Sequence, residues 1–460
     1  MIAPRTRLLV LFGVVVAPAA AIGSLPAWLF IALFVLAAVL DALLGRRRLQ
    51  GIEVELPAVV RFVRNRKGTI PVTVRNRGAG VSSLRVGVAL DDSLVGTGRS
   101  RPQREPGNAG GPLRCADVDV RGCDTGEFTL PAPPQGESVA ALLNAHPRTR
   151  GTFVVETAGL ESPSPLGLWN IRRRPAVHSE VRVYPDLGAD QSVVAPLLMR
   201  RHPGLHLQRQ AGRGREFEKL REYIPGDALN EIHWKATARR GHPITRQFRV
   251  ERTQEIYAVL DCSRLTGRDA DDGETVLERY ITSALVLSLA CRQQGDLFGL
   301  VTFSDTVHSF SRAGGTNAHY DACRNALLNL APRLVAPDFT ELAATLDTRL
   351  RRRALLVFLT ELDDPVLSED FLRVASGLSR RHLVAVASVR GKHDEALFEL
   401  PAASVAEVYE RLGGHLAWRR LSELSASLRS RGVRMFTAHP AKLSLELTRF
   451  YLNTKQRQAI

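Results

Sequence analysis

Residues 209–252 read RQAGRGREFEKLREYIPGDALNEIHWKATARRGHPITRQFRVER. The segment holds eleven Lys and Arg against six Asp and Glu, with a Pro-Gly-Asp turn near its centre. Pro225 fixes its own φ, Gly226 can adopt a positive φ, and Asp227 can accept backbone N–H groups, so this tripeptide predicts a tight turn. Ile224, Ile232 and Trp234 are the apolar residues that could hold this polar segment on a domain, and we expect Trp234 to be a buried anchor.

The order of residues in this segment resembles the signature of a bacterial family called domain of unknown function 58. That signature reads EF-x-x-LR-x-Y-x-x-GD, followed by I-x-W-x-x-x-AR-x-G. The matching residues are Glu216, Phe217, Leu220, Arg221, Tyr223, Gly226, Asp227, Ile232, Trp234, Ala238, Arg239 and Gly241. We predict that these residues other than Ala238, together with Lys235, contribute to the docking of a partner.

Beyond the signature, apolar strands alternate with helical patterns. IYAVLD (256–261), LFGLVTF (297–303), ALLVFLT (354–360) and LVAVASV (383–389) are the strands, and ETVLERYITSALVLSLACRQQ (274–294) is a helical pattern. This alternation predicts a doubly wound, mostly parallel sheet with helices on both faces. The resemblance implies a von Willebrand factor A-like fold for this α/β domain, at 253–445, followed by a C-terminal tail at 446–460.

Ahead of the signature the pattern has a period of two residues. IPVTVRNRG (70–78) and LRVGVAL (84–90) alternate apolar and polar side chains, as half-buried antiparallel strands do. We therefore expect a β-sandwich at 51–190, to which we assign no chemistry. Residues 191–252 then form a linker and the signature segment.

The N-terminus carries two apolar runs, at 8–23 and 27–44. Arginines precede the first run and Arg46, Arg47 and Arg48 follow the second, so the pattern predicts a hairpin of two transmembrane helices within residues 1–50, both ends being cytoplasmic. A cleaved signal peptide is the rival interpretation, because PAAAIG offers small residues at a cleavage site. The expected location is the bacterial inner membrane, with the soluble domains in the cytoplasm.

The formal net charge is +15, and the arginines are spread along the chain. This distribution favours contact with anionic membrane lipid over a dedicated nucleic-acid arm, and we expect no nucleic acid as a partner. The five cysteines include no CxxC pair, which suits a reducing compartment.

Polar residues follow several predicted strands. Asp261 and Ser263 follow the first, Thr316 opens a helix, and Glu361 follows the strand at 354–360. The von Willebrand factor A resemblance implies that Asp261, Ser263, Thr316 and Glu361 bind a divalent cation, Mg²⁺ being the fit for hard oxygen ligands. Leu265, however, stands where that pattern has another oxygen ligand. The alternative is a degenerate site in which these side chains only cap a helix or a turn.

The sequence contains no G-x-S-x-G elbow, H-E-x-x-H motif or G-x-x-x-x-G-K-[ST] loop. We therefore expect a membrane-anchored, non-enzymatic adaptor. The resemblance implies that its partner is a MoxR-type AAA+ ATPase, in a system that matures or assembles other proteins. The alternative is a metal-dependent hydrolase that uses Asp261 and Glu361.

Overall fold

The computed structural model describes residues 2–22, 25–78, 83–90, 94, 127–131, 133–199, 211–224, 232–249, 254–391 and 404–457. The chain divides into two compact units, Met1–Asp186 and Leu187–Ile460.

Within its described residues, the first unit contains two helices and ten strands. In chain order they are β1 (Ile2–Pro4), α1 (Thr6–Ile22), α2 (Leu25–Arg48), β2 (Ile52–Glu55), β3 (Val59–Val63), β4 (Gly68–Asn76), β5 (Ser83–Val88), β6 (Glu127–Pro131), β7 (Ser138–Ala145), β8 (Gly151–Pro163), β9 (Trp169–Arg173) and β10 (Ala176–Tyr184).

The strands of this unit form two sheets. One has the path β1-β9-β8-β10-β3, with β5 added to β8 and β6 added to β5, and the other has the order β2-β4-β7. Along β4 the buried side chains are Ile70, Val72 and Val74, which is the alternation that the sequence predicts. These side chains share one apolar core with Val86 and Val181 of the other sheet, so the strands form a sandwich.

The prediction of two transmembrane helices is wrong. Within the residues that the structure describes, no helix combines the length and the apolar character needed to cross a membrane. Helix α1 has 17 residues, or roughly 26 Å at 1.5 Å per residue, which is less than the hydrocarbon core of about 30 Å. The inner membrane as the location, and lipid as a partner, stay predictions from the sequence.

One face of the C-terminal half of α2 belongs to the protein interior, whereas Leu40, Leu43 and Leu44 are exposed. Asp41 is buried, and its carboxylate accepts hydrogen bonds from the Ser164 hydroxyl at 2.5 Å and from the Leu166 amide at 2.8 Å. The Trp169 indole Nε1 donates to the carbonyl of Ala38 at 2.8 Å. The apolar run was counted as lipid-facing, but this part of it packs on the turn between β8 and β9.

The second unit contains eight helices and eight strands within its described residues. They are α3 (Gly188–Met199), β11 (Ala211–Glu222), α4 (Trp234–Arg240), β12 (Ile244–Arg249), β13 (Glu255–Asp261), α5 (Val276–Gln293), β14 (Leu297–Phe303), β15 (Val307–Gly314), α6 (Asn317–Ala326), α7 (Phe339–Arg349), β16 (Ala354–Leu359), α8 (Pro365–Leu378), β17 (Leu383–Val389), α9 (Val405–Ser430), β18 (Arg434–Ala438) and α10 (Leu443–Gln456).

The main sheet of this unit has the order β15-β14-β13-β16-β17-β18. All neighbouring pairs are parallel except β14 and β15. One apolar core, containing Tyr280 and Tyr451, lies between the sheet and helices α5 and α10; a second core, containing Phe339 and Phe371, lies under α7 and α8. The doubly wound, mostly parallel sheet is therefore present as predicted.

Two segments of this unit are more ordered than the sequence suggested. Residues 446–457 of the predicted tail belong to α10 and its end, and Tyr451 there is fully buried against α5. The start of the predicted linker forms α3, which packs on α5 and α10. Both helices bury apolar side chains that the strand-and-helix pattern had left unassigned.

Candidate functional site

The signature segment forms a two-stranded ribbon with a short helix. Strand β11, which carries Glu216, Phe217, Leu220 and Arg221, pairs antiparallel with β12. After the ribbon's first strand, the amide of Tyr223 donates to the carbonyl of Pro243 at 3.0 Å. Gly226 and Asp227, and with them the predicted turn, lie outside the described residues.

Helix α4 is capped at both ends. The His233 Nδ1 accepts a hydrogen bond from the Ala236 amide at 3.0 Å, which satisfies one of the free N–H groups of the first turn. Gly241 ends the helix with a φ of 73°, a left-handed conformation that a side chain would strain. The hydroxyl of Thr237 accepts from the Ile244 amide at 3.0 Å and ties the helix to β12.

Trp234 does not anchor this segment, so the prediction that it is buried is wrong. It is the first residue of α4, and 68% of its surface is exposed. Among the side chains of this segment that the structure describes, Ile232 just before α4 and Ile244 and Thr245 at the start of β12 are buried. Ile232 and Thr245 also pair with each other in an isolated antiparallel bridge. Lys235 and Arg239 of the same helix are also exposed.

A second cluster of polar residues lies at the carboxyl edge of the main sheet. Asp261 ends β13 and is fully buried. Its Oδ1 accepts from the Ser263 amide at 2.7 Å, and its Oδ2 accepts from the Thr360 hydroxyl at 2.6 Å. Burial raises the pKa of Asp261, although the hydrogen bonds from Thr360 and from the Ser263 amide act in the opposite direction. The Ser263 hydroxyl is itself buried and has no hydrogen-bond partner of good geometry in the described part of the chain.

Glu361, which follows β16, is the centre of this cluster. Its Oε1 accepts from the Tyr280 hydroxyl and, at 3.0 Å, from the Val389 amide. Its Oε2 accepts from Arg268 Nη2 at 2.5 Å and from the Ser388 hydroxyl at 3.0 Å. Burial raises the pKa of Glu361 to about 7, although the Arg268 charge lowers it. The carboxylate thus joins the ends of β16 and β17 to α5 and to the loop after β13.

Thr316 lies at the opposite edge of the sheet. Strand β15 runs antiparallel to β14, and Gly314 pairs with Phe298 near the amino end of β14. Asp261, by contrast, pairs with Phe303 at the carboxyl end, five residues or roughly 17 Å further along the strand. The Thr316 hydroxyl caps α6, where it accepts from the His319 amide at 3.1 Å. The structure therefore brings Asp261, Ser263 and Glu361 to one edge and leaves Thr316 at the other.

The four residues do not fit a divalent cation. Thr316 is remote, and Leu265 has no ligand oxygen. Glu361 accepts four hydrogen bonds, which use about all of the lone-pair sites of its carboxylate, so a metal ion would have to displace one of these donors. Among the described residues, no group of three or more His, Cys, Asp or Glu side chains could hold a metal ion.

A cavity of about 640 Å³ opens beside the cluster. Arg268 and Asp363 line it from the strand ends, and Leu372 and Leu424 line it from α8 and α9. Its position at the carboxyl edge of the sheet is where ligands of open α/β sheets bind, and its volume is ordinary for a ligand pocket.

Sequence reasoning missed three members of the cluster, which are Arg268, Tyr280 and Ser388. Each is separated from Glu361 by 27 residues or more along the chain. None stands in a recognisable motif. Only the predicted order of strands could have suggested that the loop after β13 meets the end of β16.

Residues 219–420 match the sequence model of the family described as protein of unknown function DUF58. Two curated relatives are an uncharacterized protein of Mycobacterium bovis, Mb1516, and one of Mycobacterium tuberculosis, Rv1480. Each is 25% identical over 246 residues, which cover 52% of this chain and 74% of the relative.

Similar solved structures include the SpRpn10 VWA domain, which is 10% identical with a TM-score of 0.27 and covers 42% of this chain and 93% of that one. The conserved hypothetical protein BatB from Bacteroides thetaiotaomicron is 11% identical with a TM-score of 0.24 and covers 38% of this chain and 99% of that one. TM-scores this low support no conclusion about the fold, and the α/β fold follows from the strand order described above.

Proposed function

We propose that this chain, whose residues 219–420 belong to the DUF58 family, is a non-enzymatic interaction protein that docks a partner through its signature segment. The observation that carries the proposal is the exposure of Trp234 on a helix that is capped at both ends. A large apolar side chain held out to solvent on a fixed helix loses little conformational entropy on binding. Trp is also among the residue types that dominate the energy of protein interfaces.

The charges around Trp234 indicate the chemistry of the partner. Lys235, Arg239 and Arg240 belong to the same helix and are exposed. We call Trp234, Lys235, Arg239 and Arg240 together the α4 surface. Positive charges on the short helix that carries the exposed Trp234 suit an acidic partner surface, which would raise the association rate and disfavour basic partners. The partner implied by the family resemblance is a MoxR-type AAA+ ATPase, and the proposal is that its acidic patch meets the α4 surface.

The hydrolase alternative has less support. It requires Asp261 or Glu361 to act on a metal ion or a water molecule. The oxygens of both side chains are engaged by internal donors, and Glu361 is fully buried. These carboxylates are better suited to fixing the ends of the strands than to contacting a substrate.

The proposal is tested by affinity capture of the full-length chain from its native cells, with and without ATP and Mg²⁺. We expect an AAA+ ATPase to co-purify with the wild-type chain and to be lost from Trp234→Ala. Leu334→Ala is the matched control, because Leu334 is another large apolar residue, 96% exposed, outside the α4 surface. Equal recovery of the ATPase with Trp234→Ala would reject docking through α4, and recovery of no ATPase with the wild-type chain would reject the partner.

A further inference from the structure

The donors around Glu361 occupy its whole carboxylate. Each oxygen accepts two hydrogen bonds, from Tyr280 and Val389 on one side and from Arg268 and Ser388 on the other. Two oxygens offer about four lone-pair sites, so four donors use the full capacity. A metal ion could bind here only by displacing at least one of them.

Arg268 supplies the positive charge of this arrangement. Its Nη2 lies 2.5 Å from Glu361 Oε2, and its Nη1 lies 2.6 Å from Asp363 Oδ2. One guanidinium therefore bridges two carboxylates that follow the same strand. Bridging of two carboxylates by a single cation is also what a divalent metal ion does at such an edge.

We propose that the Arg268 guanidinium is the resident cation of the carboxyl edge, and that it takes the place of a divalent metal ion. In the wild-type chain this edge then binds no metal ion, and any ligand of the adjoining cavity is bound without one. The proposal concerns this edge alone and does not depend on docking through the α4 surface.

Removing the guanidinium would leave a site with the features of a metal centre. The carboxylates of Glu361 and Asp363 would face a gap of the size of a guanidinium group, and the Ser388 hydroxyl would lie beside it. Arg268 lines the cavity of about 640 Å³, so water and ions could reach the gap. Ca²⁺ accepts six to eight oxygen ligands in flexible geometry, including water, and suits a gap that was not shaped for a metal.

The test is the melting temperature of the full-length chain with and without 10 mM CaCl₂, against NaCl of matched ionic strength. We expect the wild-type Tm to be unaffected by CaCl₂. At pH 8, where Glu361 is ionised in the wild-type chain, Arg268→Ala should melt roughly 10 °C lower, because the buried carboxyl group loses its charge partner. With a Kd of about 1 mM, CaCl₂ should then raise the Tm of the variant by about 3–5 °C.

Three further variants separate charge from packing. Arg268→Gln keeps most of the side-chain volume and should also gain a response to CaCl₂, which secures the test if Arg268→Ala fails to fold. The double variant Arg268→Gln/Glu361→Gln removes both charges. It should have a higher Tm than Arg268→Gln, and CaCl₂ should not change that Tm. Arg264→Gln is the matched control, since Arg264 lies on the same edge but pairs with Asp364 at 3.8 Å, and it should show no response.

Two results would overturn the proposal. One is a rise in the wild-type Tm with CaCl₂, because the edge would then hold a metal beside Arg268. The other is a folded Arg268→Gln variant that CaCl₂ stabilises no more than it stabilises the wild-type chain.

Discussion

Arg268 and Glu361 form an ion pair in which the two partners differ sharply in their contact with solvent. The Glu361 side chain has no exposed surface, whereas 41% of the Arg268 side chain is exposed. The carboxylate therefore loses its hydration on folding and recovers it only in part from the guanidinium. The pair is better understood as a device that fixes the loop after β13 against the ends of β16 and β17 than as a source of net stability.

The first prediction concerns the pH dependence of stability. The pKa of Glu361 is about 7 in the folded chain, and it is near 4.5 when the chain is unfolded. The folded state therefore binds the proton of Glu361 more tightly than the unfolded state does, and this difference contributes to the free energy of unfolding in full below pH 4.5. The contribution is lost as the pH rises from 4.5 towards 7, and the loss is on the order of 3 kcal/mol.

Glu361→Gln is the control for this pH prediction, because glutamine cannot ionise. The difference in unfolding free energy between the variant and the wild-type chain should shift in favour of the variant from pH 5 to pH 8, as measured by urea denaturation. A difference that does not change with pH would contradict the raised pKa of Glu361.

The second prediction concerns Trp234. Because its side chain is mostly exposed, Trp234→Ala should change the free energy of unfolding by less than about 0.5 kcal/mol. Ile244→Ala, which truncates a buried residue of the same segment, should cost about 2–5 kcal/mol. Chemical denaturation of the two variants measures both values. A loss of 3 kcal/mol or more in Trp234→Ala would show that the indole is buried after all.

The third prediction concerns α10. The Tyr451 hydroxyl donates to Asp296, which also accepts from Lys455 Nζ at 2.7 Å, and both Tyr451 and Asp296 are buried. Tyr451→Phe should cost about 1–3 kcal/mol, because a buried carboxylate loses a donor. Tyr409→Phe, at an exposed position of α9, should leave the stability unchanged. If Tyr451→Phe and Tyr409→Phe both have the stability of the wild-type chain, the Tyr451–Asp296 hydrogen bond of α10 does not stabilise the fold.

The main sheet could be predicted from the sequence because its strands are continuous apolar runs. Strands such as β16, whose six residues are all buried, leave no other arrangement for an alternating βα chain. Helix α10 was missed although Leu443, Leu447 and Tyr451 recur at helical spacing, since the segment had no strand after it to suggest a βα unit.

The prediction of a metal site failed because the direction of a strand does not follow from the apolar pattern. Strand β15 runs antiparallel to β14 and carries Thr316 to the amino edge of the sheet. The role of Arg268 was equally hidden, because its partner Glu361 is 93 residues away in the sequence. Position after a strand indicates an edge of the sheet, but it does not indicate which charges meet there.

Exposure of Trp234 was also beyond the sequence. The sequence offered both Trp234 and Ile232 as apolar candidates for burial, and of the two only Ile232 is buried, together with Ile244. Trp234 is the first residue of α4, and its side chain there is exposed. That outcome turned an expected core residue into a candidate interface residue.

The central claim is that the α4 surface docks the partner, and equilibrium binding tests it most directly. The ATPase captured with the wild-type chain would be purified and titrated against the wild-type chain, Trp234→Ala and Leu334→Ala. Loss of an interface anchor should weaken binding by Trp234→Ala by about tenfold or more, whereas Leu334→Ala should bind as the wild-type chain does. Equal affinity of all three chains would contradict docking through α4.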